Sequence, residues 1–376
     1  MSAPTDHDLL LIVASSGRAL AASAARSAQP VVVLDLYDDL DTRALSACSR
    51  AVANSDGRFD AQRLLAAAAE LCPPERCAGL VYGSGLEAHT GLLRKLARNR
   101  TLYGNQPDTV AMVKDPARFF ALLDGLHIDH PATTLEPPDD PEGWLIKRTG
   151  AAGGSHVRRA RKRHRARPRR YFQRYQQGRT LSALFAADGR QAQVLGFNEQ
   201  WTADVPWCAR YCYGGAVTCT DVPQTLESGI ARIASRLVAK TALKGINGVD
   251  FILDGDRVFV LEVNPRPTAT IELYDRDVDG GMLALHVRAC GGELPSRPRL
   301  NGARAHAIVY AAAALRVPLS IDWPPWCTDL PAAGTPVAAG APVCSAHAEA
   351  ETAAQAKQLA MVRCERMQAN LLEKAA

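Results

Sequence analysis

The sequence predicts an α/β protein: a Rossmann-like domain at the N-terminus, a larger mixed α/β region after it, and a small α+β appendage at the C-terminus. Three observations carry this. LLLIVA (9–14), SSGRALAASAARSA and PVVVLDL (30–36) read as strand, Gly-turn plus helix, and strand, the βαβ start of a parallel sheet. GINGVDFILDGDRVFVLEVNPRPTA (245–269) reads as a β-hairpin, two alternating apolar runs about the turn Asp254-Gly255-Asp256. The stretch 331–371 reads as two turn-bounded β segments and then a long helix. The domains are expected at 1–105, 106–290 and 291–376.

At 376 residues, with 47% apolar and 22% charged side chains, the chain is long enough for two or three cores. Its net charge of +5 is unevenly placed, because nine Arg or Lys residues and one His lie between Arg158 and Arg170. Outside that run the chain is slightly acidic. Ten cysteines are scattered without paired CxxC spacing, which suits reduced thiols in a cytoplasmic protein. The first residues carry Asp6 and Asp8 and no basic start, so Leu9–Ala14 is expected to be a strand rather than a leader. No apolar run approaches the roughly 20 residues of a membrane span.

In chain order, the stretch 61–72 reads as a helix, AGLVYGSG (78–85) as a strand with a Gly loop, and 88–99 as a helix. Ser84 in that loop suits either a substrate anion or a turn. No GxGxxG follows the first strand, so dinucleotide binding is unsupported. In TVAMVKDPARFFALLDGLHIDHPAT (109–133), Phe119, Phe120, Leu122, Leu123 and Leu126 recur at helical spacing, which predicts one helix with Lys114 at its start. WLIKRTGAAGGSHVRRA (144–160) is a strand, a glycine loop and a second strand. Lys147 sits where a buried face would exclude it, so it reads as a cation facing phosphate. Gly150, Gly153 and Gly154 allow backbone N–H groups close to phosphates, with Ser155 and His156 as donors, although such a loop is also an ordinary hairpin turn. The basic run has no interleaved aromatics and lies between predicted strands. It is expected as a solvated loop or strand edge, with an acidic substrate or nucleic acid as the sharper alternatives. YFQRYQQGRTLSALFAADG (171–189) starts as a strand and ends at a turn, and QVLGFNEQWT (193–202) is another strand. Glu199 and Arg210 suit either substrate contact or a salt bridge. The remaining elements are a helix at 228–243, a helix at 280–292 and a strand at 304–315.

The hairpin holds the chemistry. Each arm carries one carboxylate among apolar residues, Asp250 and Glu262, and Asn264 shares a strand face with Glu262. An all-oxygen set of this kind suits Mg²⁺. Arg266, one pleat on, adds a cation aimed at the same place. The competing reading is a surface hairpin with solvated acids, against which a carboxylate inside VFVLEVN is costly to bury alone.

GVDFIL…VFVLEVNPRP resembles the metal-binding hairpin of the ATP-grasp superfamily, whose members mostly join a carboxylate to an amine using ATP. The resemblance implies a two-lobed ATP-grasp fold over 106–290. ATP would lie between the lobes with Lys114 and Lys147 on its phosphates. Asp250, Glu262 and Asn264 would hold two Mg²⁺ ions, or Mn²⁺ in their place, with Glu262 bridging. Gly153, Gly154, Ser155 and His156 would cover the nucleotide. YFQRYQ resembles the segment that joins the lobes, so the backbone of Arg174 and Tyr175 would bond adenine. Gln173 would take a polar role where many members carry Glu for the ribose, a departure that bears on ribose recognition. Arg266 would stabilise an acyl phosphate. SGRALAASA, VYGSGLEA and LYGNQPDTVAMVKDPARFF are similar to ATP-grasp proteins of methanopterin- or methanofuran-type cofactor synthesis, which implies glutamate and a tyrosine- or tyramine-like amine as small-molecule substrates. GTPVAAGAPVCSAHAEAETAAQA resembles the C-terminal segment of biotin-carboxylase-like members, which implies the alternative of bicarbonate activation. Similar proteins are commonly homodimers. The reading of another class is a nucleic-acid-binding protein acting through Arg158–Arg170.

Overall fold

The computed structural model describes residues 9–162 and 164–375. Asp6 and Asp8, and Arg163 of the basic run, lie outside the described residues. The N-terminal sheet is parallel, ordered Cys48–Ala51, Val31–Asp35, Leu9–Val13, Cys77–Tyr82 and Leu102–Tyr103. Its central strand separates two cores by side-chain alternation. Leu11 and Val13 pack with Leu64, Ala67 and Ala68 of the helix Ala61–Leu71. Leu10 and Ile12 face the helices Arg18–Arg26 and Gly281–Cys290. Asp60 starts the helix Ala61–Leu71 by accepting the N–H groups of Gln62 and Arg63.

An antiparallel sheet of eight strands forms the body of the protein. It runs Arg257–Asn264, Lys244–Asp254, Arg179–Asp188, Ala192–Thr202, Tyr213–Thr218, Ala303–Tyr310, Pro342–Ala350 and Cys327–Thr328. The strand Arg179–Asp188 sends Leu184 and Ala186 to the core shared with the N-terminal sheet. Its Leu181, Ala183, Phe185 and Ala187 face the opposite core, beneath the helices Pro116–Gly125 and Gln224–Thr241. Three strands of the C-terminal segment extend this sheet, and the helix Ala353–Ala375 packs on two of them. A small sheet, ordered Thr133–Thr134, Arg170–Arg174, Trp144–Arg148 and Arg158–Arg159, forms the second lobe.

The fold class is as predicted, with local corrections. The single helix expected within 109–133 is two, Pro107–Lys114 and Pro116–Gly125, because Pro116 has no N–H to continue a ladder and Asp115 caps the second helix through the Arg118 N–H. Lys114 therefore ends a helix instead of starting one. The strand expected after the glycine loop is two residues long, Arg158–Arg159. All ten cysteines are free, and no helix among the described residues is long and apolar enough to cross a membrane.

Candidate active site

The hairpin forms as its pattern requires. Asp254 pairs with Arg257 across a two-residue turn in which Gly255 takes a φ of +57°, the left-handed region glycine enters without steric cost. The register sets Asp250 directly opposite Glu262, and a shift beside Asp250 bends the arm locally. Asn264 donates from Nδ2 to Asp250 Oδ2 at 2.9 Å, so the three oxygen-bearing side chains form one cluster. Gln200, from the neighbouring part of the sheet, donates to the other Asp250 oxygen at 3.2 Å. Sequence reading missed Gln200, although the alternation through QVLGFNEQWT places it on one face with Asn198.

Two lysines stand near the acids, one at a helix end and one on the small sheet. Lys114 Nζ donates to Glu262 Oε2 at 2.7 Å and to Asn264 Oδ1 at 3.1 Å. Its exposure from the helix end is only 7%. Lys147, on the small sheet, donates to Gln173 Oε1 at 2.6 Å. The buried Gln173 passes its own amide to Thr133 at 3.3 Å, so it holds Lys147 rather than standing free for a ribose. Burial pushes the Lys147 ammonium below its usual value, against the pull of Glu262 and Asp250. Burial raises Glu262, but Lys114 and Lys147 overcome it and hold the carboxyl below its ordinary range. Asp250 goes the other way, to about 6, through burial and the facing Glu262. The two facing carboxylates repel each other, which a shared cation would relieve.

No cluster of three or more His, Cys, Asp or Glu side chains suited to a metal occurs among the described residues. The set here is two carboxylates and an amide oxygen, all hard donors. That set fits Mg²⁺ completed by water and phosphate oxygens, and it does not fit a soft metal.

The glycine loop serves more than one purpose. A Cβ on Gly150 would stand 2.9 Å from Ala88 Cα, and one on Gly154 would stand 1.8 Å from the Tyr211 carbonyl oxygen. These two glycines let the loop pack against its neighbours. Gly153 has open space around its Cα, so it alone of the three presents backbone to the cavity without such a contact. Ser155 and His156 follow on the cavity walls. Burial pushes His156 down to about 4, which leaves it neutral, and its Nδ1 is buried without a hydrogen-bond partner.

Two further expected positions already have partners. The amide N–H groups of Arg174 and Tyr175 donate to the carbonyls of Ala132 and Gly143, each at 2.8 Å. The Arg174 guanidinium instead lies 6.0 Å over the Trp144 ring. Arg266 is not a free cation either. Its Nε donates to Glu87, a buried residue on the Gly loop of the N-terminal sheet, and Glu87 also accepts the Gly85 N–H at 2.6 Å. Glu87 was missed because an acid two residues past a glycine reads as surface in sequence. Glu199 is structural, bonded to Arg179 at 2.8 Å and Lys357 at 3.0 Å.

A cavity of about 1220 Å³ opens between the lobes, lined by Lys147, Asp250, Glu262, Asn264 and Arg266, and by Ser15, Ser84 and Gly85 of the N-terminal sheet. A smaller space of about 90 Å³ beside it is lined by Lys114, Lys147, His156 and Glu262.

Comparison with known proteins bears on the fold and the domain type. Residues 113–270 match the ATP-grasp domain. A stretch of 67 residues is 31% identical to the arginine-specific large chain of carbamoyl phosphate synthase from Bacillus subtilis, over 18% of this chain and only 6% of that protein's length. Among solved structures, biotin carboxylase from Campylobacter jejuni, in complex with an ATP analogue, superposes with a TM-score of 0.72 at 12% identity, covering 94% of this chain and 90% of that one. The biotin carboxylase domain dimer of Hydrogenobacter thermophilus 2-oxoglutarate carboxylase, with MgADP, ADP and bicarbonate, gives 0.70 at 12% identity, over 97% and 90%. Pyruvate carboxylase from Rhizobium etli gives 0.70 at 13%, over 96% of this chain and 38% of that one. Residues 113–270 thus match the ATP-grasp domain, in a chain whose fold is like that of biotin carboxylase domains.

Proposed function

We propose that the protein uses ATP to phosphorylate an oxygen acid of the carboxylate type, giving an acyl phosphate that a second nucleophile consumes. The observation that carries this is the meeting of Lys114 and Lys147 with Asp250, Glu262 and Asn264 at the mouth of the inter-lobe cavity. Two lysines suit phosphate oxygens, and the three oxygen ligands suit Mg²⁺, whose part when bound would be to neutralise phosphate charge. A substrate oxygen then attacks the γ-phosphorus as the bond to ADP breaks, and a nucleophile later expels phosphate. Glu87 orients Arg266 toward the cavity, where its remaining N–H groups would meet developing negative charge.

Bicarbonate is the first substrate to test, since the Hydrogenobacter neighbour was solved with bicarbonate beside MgADP. The carboxylate–amine ligase reading comes second, and the cavity of about 1220 Å³ leaves room for a larger carboxylate beside ATP. Under it, glutamate with a tyramine-like amine is the pair to assay first. We infer a homodimer as the assembly to look for, because that same neighbour is a domain dimer.

The test is ADP release from Mg²⁺-ATP in bicarbonate-depleted buffer, with bicarbonate or with carboxylate–amine pairs added back, in wild type and Glu262→Gln. Stimulation by one of these, falling at least about a hundredfold in the variant, is expected from losing a carboxylate that would hold Mg²⁺ at the phosphates. Turnover indifferent to Glu262 would sink the reading.

A further inference from the structure

The cavity carries more positive charge than nucleotide chemistry uses. Beyond Lys147 and Arg266, its lining includes Arg58, Arg148, Arg167, Arg169, Arg170 and Arg174, whereas Asp250 and Glu262 are its only acids among the described residues. Two of these arginines and one histidine converge from separate parts of the chain. Arg58 stands on the turn beside Phe59, His89 on the Gly loop of the N-terminal sheet, and Arg169 near the end of the basic run. Arg169 bridges the lobes: its guanidinium donates to the Ala88 carbonyl at 3.0 Å from a backbone φ of +63°. His89 is pushed below its usual value by partial burial and then by Arg169 and Arg58, which places all three within one field. Neither Arg58 nor Arg169 is ion-paired with a carboxylate of the described residues. Like charges gathered on a concave wall repel each other and focus potential, and an anion relieves both effects. The wall is continuous with the candidate active site, because Gly150 of the loop after Lys147 packs on the same Ala88.

We propose that Arg58 and Arg169, with neutral His89 as a hydrogen-bonding neighbour, bind the distal acid groups of a polycarboxylate substrate of the acidic-peptide kind. Its reacting end lies toward Lys147 and Arg266. This deepens the proposed function and rests on it for the reaction, but not for the binding. Bicarbonate, small and singly charged, leaves this wall unused. The basic run lacks the interleaved aromatics on which nucleic-acid bases stack, which favours a flexible polycarboxylate over a polynucleotide.

The experiment is calorimetric titration of the nucleotide-free protein with triglutamate, glutamate and a single-stranded oligonucleotide. It compares wild type with Arg58→Gln/Arg169→Asn, Asn being tolerated at the left-handed position. Both side chains are exposed, and Arg58→Gln alone serves if the pair proves unstable. Triglutamate should bind wild type more tightly than glutamate, and the double variant should lose about tenfold or more, as for two charge-assisted contacts. ATP binding should be unchanged. Equal triglutamate affinity in both proteins, no triglutamate binding by wild type, or tighter oligonucleotide binding that the variant abolishes would each overturn the proposal. Because nucleotide is absent, failure here leaves the ATP reaction standing, and failure of ATP turnover leaves this binding intact.

Discussion

Glu87→Gln isolates the contact that ties the N-terminal sheet to the end of the hairpin. The two side chains are 1% and 7% exposed, so the pair is shielded from water on both sides. In the variant the amide oxygen still accepts the Gly85 N–H, but the Arg266 guanidinium is left buried beside a neutral group. Removing one partner of a buried pair costs about 3–5 kcal/mol, mostly the desolvation of the stranded charge. Removing both should cost less, so Glu87→Gln/Arg266→Met should be more stable than Glu87→Gln alone. The assay is a double-mutant cycle on urea unfolding of the nucleotide-free protein. The pH dependence supplies a second readout. Although burial raises it, Arg266 and Lys114 hold the Glu87 carboxyl below its ordinary value in the folded state. Its contribution is therefore complete above the unfolded carboxylate value of about 4.3 and is lost as pH falls from there through the lower folded value. A cost below about 1 kcal/mol for Glu87→Gln, or equal acid sensitivity in wild type and variant, would refute the argument, since it would mean that water reaches Arg266.

Other consequences are as direct. Asp250→Asn removes one of two facing carboxylates, so the nucleotide-free protein should melt higher while the stabilisation given by Mg²⁺ with ADP disappears; thermal melts with and without both ligands check this. Asp39 is buried near Asp329, Asp35 and Asp41, and burial first, then these charges, push it up to about 8. Because that folded value exceeds the unfolded one, this group favours folding at low pH, and its contribution falls by about 1.4 kcal/mol per unit as pH rises from about 4 toward 8. Urea unfolding across that range should show a shallower decline in Asp39→Asn, and an unchanged slope would place Asp39 in contact with solvent.

The hairpin was legible because its information is local. Alternation fixes which side chains share a face, Asp-Gly fixes the turn, and together they fix the register that sets Asp250 against Glu262. The parallel N-terminal sheet was legible for the same reason, its strands being short apolar runs separated by turn residues and helices. The break at Asp115–Pro116 was also written in the chain, as an N-cap followed by proline, but the apolar spacing that runs across it suggests one helix.

What the sequence determined by itself is thus the fold class, the first strands and helix of the parallel sheet and the acid cluster of the hairpin, since each depends on residues within a few positions of one another. The tertiary structure alone decided where the cations go. Lys114 reaches Glu262 across 148 residues, Arg266 is claimed by Glu87 across 179, and Lys147 is held by Gln173. It also decided that Gly150 and Gly154 serve packing, and that Arg58, His89 and Arg169 share a wall. A cation's role is set by the charges around it, and a pattern of spacing along the chain does not say which distant carboxylate, carbonyl or open cavity a long side chain will meet once the sheets are packed.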